Sequence, residues 1–130
     1  MKKYDVIGVG NALMDVLIEL PDSSLLERFG MKDGDWSVVD NSQWEKVFEA
    51  AKTYGMKTDS GGSVANTIAT VGLLGGNALY NGTVGNDEFG KMYSSGFDKL
   101  CGAHDIKTSE QGSTGKCLCL ITPPLAERTL

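Results

Sequence analysis

The sequence predicts an α/β fold, in which helices pack against a mostly parallel sheet. Short β-prone runs alternate along the chain with segments whose apolar residues recur at the period of a helix. Glycine makes up 17 of the 130 residues, nearly twice the usual share of about 7%. Glycines placed among apolar runs are typical of α/β folds in which the backbone comes close to a ligand.

The first forty residues predict three extended segments and one short helix. Tyr4 to Gly10 is a β-prone run of the kind that is buried in a sheet, and Leu13 to Leu20 is a second extended segment. Turn residues then lead into a short helix from Leu25 to Phe29, which Gly30 ends. Trp36 to Val39 is predicted to be a strand.

Two helices, each with one apolar face, are predicted in the middle of the chain. The first runs from Asn41 to Tyr54, with Asp40 as its N-cap and Gly55 as its stop. The second ends at the Gly75-Gly76 pair, and its small apolar residues allow another backbone to approach closely. Its apolar face consists of Ala65, Ile68, Ala69, Gly72 and Leu73.

The last third predicts a strand, a helix and a hairpin. Ala78 to Thr83 is the strand, and Asn86-Asp87 caps the helix that follows. A polar stretch without a predicted element then leads to Gly115. Lys116 to Thr122 is the first strand of the hairpin, and Glu127 to Leu130 is its second. Because that second strand has barely begun where the sequence stops, we expect residues 1–130 to be part of a longer domain.

The charge and cysteine content exclude several classes of protein. Twelve basic and 17 acidic residues give a net charge of −5, which argues against a nucleic-acid or polybasic membrane-surface protein. No run reaches the roughly 20 apolar residues of a membrane span, and the N-terminus lacks a secretory signal. The odd cysteine count, Cys101, Cys117 and Cys119, predicts reduced thiols. We therefore expect a soluble cytoplasmic protein.

The first candidate site follows the first strand, where Asn11 and Asp15 interrupt apolar sequence. An amide and a carboxylate can together donate to and accept from vicinal hydroxyls, so a sugar-like ligand fits this chemistry. The alternative is a turn asparagine and a solvent-facing aspartate on a half-buried strand. A dinucleotide site is not predicted, because Leu13 occupies the position of the third glycine of that motif.

The second candidate site is the glycine pair that leads into the small-residue helix. Gly61 and Gly62 would leave backbone N–H groups open at the helix N-terminus, where hydroxyls or anions bind. Asn66, one turn further on, would point at the same place. The alternative is a loop capped by Ser63, with Asn66 merely exposed to solvent.

Other polar groups indicate structural roles. Asp87 and Glu88 stand at a predicted helix start, where acidic residues cap and complement the helix dipole. Cys117 and Cys119 share one face of a strand, and their spacing does not match a structural zinc site. His104 is the only histidine and has no neighbouring nucleophile in the sequence. No metal site and no catalytic residue is therefore predicted in this chain.

Taken in order, these segments resemble the ribokinase-like (PfkB-type) carbohydrate and nucleoside kinases. The Gly-Gly-x-x-x-Asn run is the most specific of the matches. Ser63 and the Asn-x-x-x-Asp spacing are more similar to the adenosine-kinase-like branch. The matching segments are Val6–Asp15, Gly61–Asn66 with Gly72–Gly76, Val84–Gly90, Thr114–Gly115, Ile121–Pro123 and Glu127–Thr129.

The resemblance implies an ATP-dependent phosphotransferase that acts on a hydroxyl of a sugar or nucleoside, with Mg²⁺ as the metal of the nucleotide. It implies that substrate hydroxyls are held by Asn11, Asp15, Gly62, Ser63 and Asn66. Arg128 resembles a lid arginine that approaches the phosphate. The family's small β-sheet lid, which often mediates homodimers, would comprise strands near residues 13–20, 36–39, 116–122 and 127–130.

Two departures from the family pattern limit this expectation. The Gly-x-Gly-Asp run that carries the catalytic base in such kinases is absent from the sequence, as is the ATP site of the C-terminal half. The turn at Pro124-Leu125-Ala126 also lacks the usual aspartate or glycine. We expect the chain to supply the substrate pocket and lid, and to be inactive alone. The alternative is a non-catalytic sugar- or nucleoside-binding or assembly module.

Overall fold

The computed structural model describes residues 3–100 and 103–130. The chain divides into two compact units: residues up to Met14 with Asp59–Lys116, and Asp15–Thr58 with Cys117–Leu130. The strands are β1 (Val6–Val9), β2 (Leu13–Glu19), β3 (Lys57–Gly61), β4 (Ala78–Gly85), β5 (His104–Ser109), β6 (Gly115–Thr122) and β7 (Glu127–Thr129). The helices are α1 (Ser24–Arg28), α2 (Asn41–Ala51), α3 (Ser63–Leu73) and α4 (Glu88–Leu100), and a 3₁₀ turn (Lys52–Tyr54) follows α2.

The first unit contains a parallel three-stranded sheet with the order β1-β4-β5. Val6 pairs with Ala78 on β4, and Tyr80 pairs with His104 on β5. Helices α3 and α4 connect these strands in the α/β manner that parallel pairing requires. The predicted mostly parallel α/β architecture is confirmed.

The core of this unit lies between the sheet and its helices. Three rings fill its centre: Tyr80 and Tyr93 are 0% exposed, and Phe97 is 1% exposed. The Tyr80 and Phe97 rings stack with centroids 4.7 Å apart. The remaining buried members of this cluster are Ala12, Met14, Ala65, Ile68, Ala78 and Val84.

The second unit buries one face of β2 and the apolar faces of α1 and α2. Along β2, Val16 and Ile18 are buried in alternation with half-buried neighbours, as a strand with one core face requires. Helix α2 buries Trp44 and Val47. Its N-cap is Asp40, as predicted, whose carboxylate accepts a hydrogen bond of 2.8 Å from the Gln43 N–H.

A second sheet has the strand order β3-β2-β6-β7, in which β6 and β7 are antiparallel. The strands predicted near residues 13–20, 116–122 and 127–130 are observed as β2, β6 and β7. In the turn before β7, Ala126 takes a left-handed φ of 54°, a conformation that usually selects glycine or asparagine. The hairpin therefore forms without the aspartate or glycine that the family pattern contains.

The prediction of a strand at residues 36–39 is wrong. This segment is irregular, and Trp36 and Val38 are 69% and 81% exposed. Two backbone hydrogen bonds join it to the chain end, one from the Ser37 N–H to the Leu130 carbonyl (2.8 Å) and one from the Leu130 N–H to the Asp35 carbonyl (3.0 Å). With no side chain buried, these two bonds leave the segment short of a regular strand.

Two strands that the sequence did not predict are present. They are β3 and β5, both polar and both at an edge of their sheet. Among the described helices, none is long and apolar enough to cross a bilayer. Cys117 and Cys119 are free thiols, as predicted, whereas Cys101 lies outside the described residues.

Candidate substrate-binding site

Backbone contact joins the loop after β1 to the start of α3. Gly62, the residue before α3, has a φ of +102° that L side chains rarely adopt. A Cβ on Gly62 would collide with the carbonyl oxygen of Asn11. Glycine at this position therefore lets the two candidate loops approach without a side chain between them.

Two glycines of the β1 region extend the same close approach along α3. A Cβ on Gly8 would lie 2.5 Å from Ile68 Cγ1, and one on Gly10 would lie 2.6 Å from Val64 Cβ. Real Cβ atoms do not come this close to their neighbours. The glycines at positions 8 and 10 thus let the first turns of α3 rest directly on β1 and on the residues that follow it.

The N-terminus of α3 is open. Its N-cap is Gly62, and no side chain of the described residues caps it. The first intrahelical bond runs from the Asn66 N–H to the Gly62 carbonyl (2.9 Å). Ser63 is the first residue of the helix and not its cap, whereas Asn66 is exposed to solvent, as the alternative interpretation expected.

Polar residues lie in and next to the first turn of this helix. Asn11, Ser63 and Asn66 are all exposed to solvent, and Gly62 is half-buried. Amide and hydroxyl groups both donate and accept hydrogen bonds, while the first-turn N–H groups only donate. The arrangement suits a ligand with several hydroxyls, or with one anionic group at the helix end.

The other two predicted residues belong to the second unit. Asp15 is half-buried on β2, and Arg128 is exposed on β7, where it pairs with Ile121 of β6. The structure therefore brings Asn11, Gly62, Ser63 and Asn66 together within the first unit, and places Asp15 and Arg128 in the second.

The charge of Asp15 affects both thiols of β6. Burial raises the pKa of Cys117, and the neighbouring Asp15 carboxylate raises it further. Burial likewise raises the pKa of Cys119, although the Arg128 charge acts in the opposite direction. Thiols with raised pKa values stay protonated near neutral pH and are weak nucleophiles and poor metal ligands.

Asp87 has the structural role that the sequence predicts. One carboxylate oxygen accepts hydrogen bonds from the Gly90 N–H (2.8 Å) and the Thr114 hydroxyl (2.6 Å), and the other accepts from the Thr114 N–H (2.8 Å). The Thr114 hydroxyl in turn accepts from the Gly85 N–H at 3.0 Å. Asp87 thus caps α4 and ties the end of β4 to the segment that enters β6.

The described residues contain no group of three or more histidine, cysteine or acidic side chains that could hold a metal ion. His104 instead contacts Asp98 at 2.6 Å, and its ring meets Phe97 edge-on.

Two tyrosines that sequence reasoning did not associate with the site hydrogen-bond to its loops. Tyr80 donates to the Gly10 carbonyl and Tyr93 donates to the Gly61 carbonyl, each at 3.0 Å. Helical periodicity reports which face of a helix is buried, but it does not report where a hydroxyl points. The sequence carries no local signal for these contacts, because both acceptors are carbonyls distant along the chain.

A parallel sheet covered by helices, with a strand end and a helix start in glycine-mediated contact, places the first unit in the α/β class. The sequence profile of the pfkB family carbohydrate kinases matches residues 38–130. Because this match covers more than half of the chain, the protein belongs to the pfkB family of carbohydrate kinases.

Similar proteins include an adenosine kinase of Schizophyllum commune, which is 26% identical over 94% of this chain and 36% of its own length. The adenosine kinase structure from Sinorhizobium meliloti is 28% identical and covers 98% of this chain and 38% of its own, with a TM-score of 0.76. A probable sugar kinase from Rhizobium etli is 25% identical over 98% of this chain and 38% of its own, with a TM-score of 0.72. The chain thus spans less than two-fifths of the length of these relatives.

Proposed function

We propose that this chain supplies the substrate-binding part of an ATP-dependent kinase that phosphorylates a hydroxyl of a sugar or a nucleoside. The observation that carries the proposal is the backbone contact between Asn11 and Gly62 at an uncapped helix start. In this proposal the substrate hydroxyls are bound by Asn11, Asp15, Gly62, Ser63 and Asn66.

The substrate class follows from the chemistry of these groups and from the relatives. Amide, hydroxyl and carboxylate side chains suit the vicinal hydroxyls of a ribose or related sugar. Two of the similar proteins are named adenosine kinases and one a probable sugar kinase. We infer an adenosine-like or ribose-like substrate, with adenosine as the first ligand to test.

ATP and Mg²⁺ are the expected phosphoryl donor and its metal. The described residues contain no cluster of three candidate metal ligands, and the Mg²⁺ of a nucleotide is usually held by one or two carboxylates together with the phosphates. We propose that the ATP site and the catalytic base lie mostly outside this chain, and that Arg128 contacts the phosphate. Accordingly, the chain alone should bind substrate without transferring phosphate. A non-catalytic binding module is the alternative, which ATP turnover on addition of the missing kinase segment would exclude.

The substrate assignment predicts that Asp15→Ala and Asn66→Ala each weaken adenosine binding about tenfold or more, because each removes a hydrogen bond to a ligand hydroxyl. Calorimetry with adenosine and with ribose measures this, alongside unfolding curves that should stay near those of the parent chain. Asp35→Ala and Asn86→Ala are the matched controls, since both side chains are exposed and outside the proposed site. Unchanged affinity in both test variants would refute the assignment.

We further propose that the chain forms a homodimer through its β3-β2-β6-β7 sheet. Three large apolar side chains next to this sheet are exposed: Trp36 and Val38 (69% and 81%) in the segment that hydrogen-bonds to Leu130, and Leu125 (78%) in the turn between β6 and β7. Contiguous exposed apolar patches are typical of protein–protein contacts, and in this proposal the three side chains form such a patch. Light scattering should give twice the chain mass of 13.9 kDa, and Val38→Lys should lower it. A monomer at every accessible concentration would exclude the dimer.

A further inference from the structure

We propose that Tyr80 and Tyr93 are positioning residues, which hold the two substrate loops at a fixed spacing through a pair of buried hydroxyls. The inference rests on the proposed function for its consequence in binding. The structural part of the inference, that each hydroxyl restrains one loop, depends only on the observed contacts.

Each tyrosine reaches the residue immediately before a proposed substrate contact. Tyr80, on β4, donates to the carbonyl of Gly10, which precedes Asn11. Tyr93, on α4, donates to the carbonyl of Gly61, which precedes Gly62. Restraining a carbonyl restrains the whole peptide plane, and therefore the N–H and φ of the next residue.

The two hydroxyls also lie beside each other. Their oxygens are 3.4 Å apart, and each phenol carries a single proton, which the shorter bond to the glycine carbonyl uses. The path from one substrate loop to the other therefore consists of two hydrogen bonds to loop carbonyls and a packing contact, not a hydrogen bond, between the Tyr80 and Tyr93 hydroxyls. Both tyrosine side chains are 0% exposed, and of the two acceptor residues Gly61 is buried and Gly10 is half-buried.

The surroundings fix where the hydroxyls stand. A Cβ on Gly82 would lie 2.7 Å from the Tyr80 hydroxyl, so glycine two residues along β4 makes room for the phenol tip. Phe97 stacks on the Tyr80 ring, and the Tyr93 and Phe97 centroids are 6.2 Å apart. Ser60 adds a second link between this loop and α4, because its hydroxyl donates to the Tyr93 carbonyl at 3.4 Å.

Packing alone does not account for these residues. Phenylalanine fills almost the same volume as tyrosine and would serve an apolar core equally well, without a hydroxyl that needs a partner. A buried hydroxyl is favourable only when it has a hydrogen-bond acceptor. For both tyrosines that acceptor is a loop carbonyl next to a proposed ligand contact.

The test uses Tyr80→Phe and Tyr93→Phe in the full chain, with two controls. Tyr54→Phe removes a phenol hydroxyl from the 3₁₀ turn of the other unit, where Tyr54 is 49% exposed. Phe97→Leu loosens the same aromatic cluster and leaves both hydroxyls in place. The readouts are the backbone ¹⁵N shifts and exchange rates of Asn11 and Gly62, the adenosine Kd, and the unfolding midpoint.

We expect Tyr80→Phe to move the Asn11 amide signal and Tyr93→Phe to move that of Gly62, each with adenosine Kd raised about tenfold. Phe97→Leu should lower the unfolding midpoint at least as much as either tyrosine substitution does. It should change the adenosine Kd less than they do. The inference would be overturned if the Asn11 and Gly62 amide signals moved no more in the tyrosine variants than in Tyr54→Phe. It would also be overturned if the adenosine Kd rose in proportion to the loss of stability in all variants.

Failure of the proposed function would be visible separately. If the parent chain binds neither adenosine nor ribose, the proposed substrate class fails. The amide signals of Asn11 and Gly62 then decide by themselves whether the two hydroxyls hold the loops.

Discussion

Replacing Gly62 by alanine is expected to abolish adenosine binding and to lower the free energy of unfolding by about 3 kcal/mol. Two physical causes add together. Alanine is strained at a φ of +102°, and its Cβ would collide with the Asn11 carbonyl oxygen. The second cause pushes the two substrate loops apart, which is why binding should fail as well as stability. Urea unfolding and adenosine calorimetry measure the two effects.

Gly112→Ala separates these causes. Gly112 has a φ of +98°, close to that of Gly62, but an added Cβ there would meet nothing within 4 Å. This control should cost only the backbone strain, about 1 kcal/mol, and leave adenosine binding intact. Equal losses in the two variants would show that the Asn11 contact has no energetic weight.

Replacing Asp87 by alanine is expected to lower the free energy of unfolding by about 3 kcal/mol at pH 7, because three hydrogen bonds to a carboxylate are lost. Asp40→Ala is the matched control: Asp40 also caps a helix, but accepts a hydrogen bond from one N–H of α2. That variant should lose about 1 kcal/mol. Losses of the same size in both variants would mean that the bonds from Thr114 contribute nothing.

The stability should also depend on pH through Asp87. Burial acts to raise the pKa of this carboxyl, but bonds from Thr114 and the Gly90 N–H, with the Lys116 charge, lower it below its ordinary value of 3.8. A carboxyl with a lowered folded-state pKa contributes fully above its unfolded-state value, and the contribution is lost as the pH falls through the folded-state value. The free energy of unfolding of the parent chain should therefore fall below about pH 4, and it should fall more steeply than that of Asp87→Ala.

Elements with a clear period or cap were predictable from the sequence. Helix α2 begins after Asp40 as expected, although its last predicted turn is the 3₁₀ turn Lys52–Tyr54. Strands β3 and β5 were missed because both are polar edge strands, and an edge strand needs little apolar alternation. The β-prone segment at residues 36–39 failed for the opposite reason, since strand propensity does not make a regular strand where the segment buries no side chain and has only two backbone hydrogen bonds to the chain end.

The candidate site was predictable in its residue types and not in its geometry. The Gly61-Gly62 pair before a predicted helix identified one loop, and Asn11 with Asp15 in apolar sequence identified the other. The contact of Gly62 with Asn11 joins residues far apart in sequence, and no local pattern encodes it. The roles of Tyr80 and Tyr93 escaped for the same reason, because their acceptors are loop carbonyls that only the fold brings near.

In the proposed site, backbone contact sets the distance between the two loops, whereas side chains supply the groups that would bind a ligand. Gly62 meets the Asn11 carbonyl directly, so exchanging the side chain of Ser63 or Asn66 alters the groups offered to a ligand and not the width between the loops. A library randomised at those two positions, with the glycines retained, would therefore sample ligand preference on a constant frame. Directed evolution of new specificities can start there without rebuilding the scaffold.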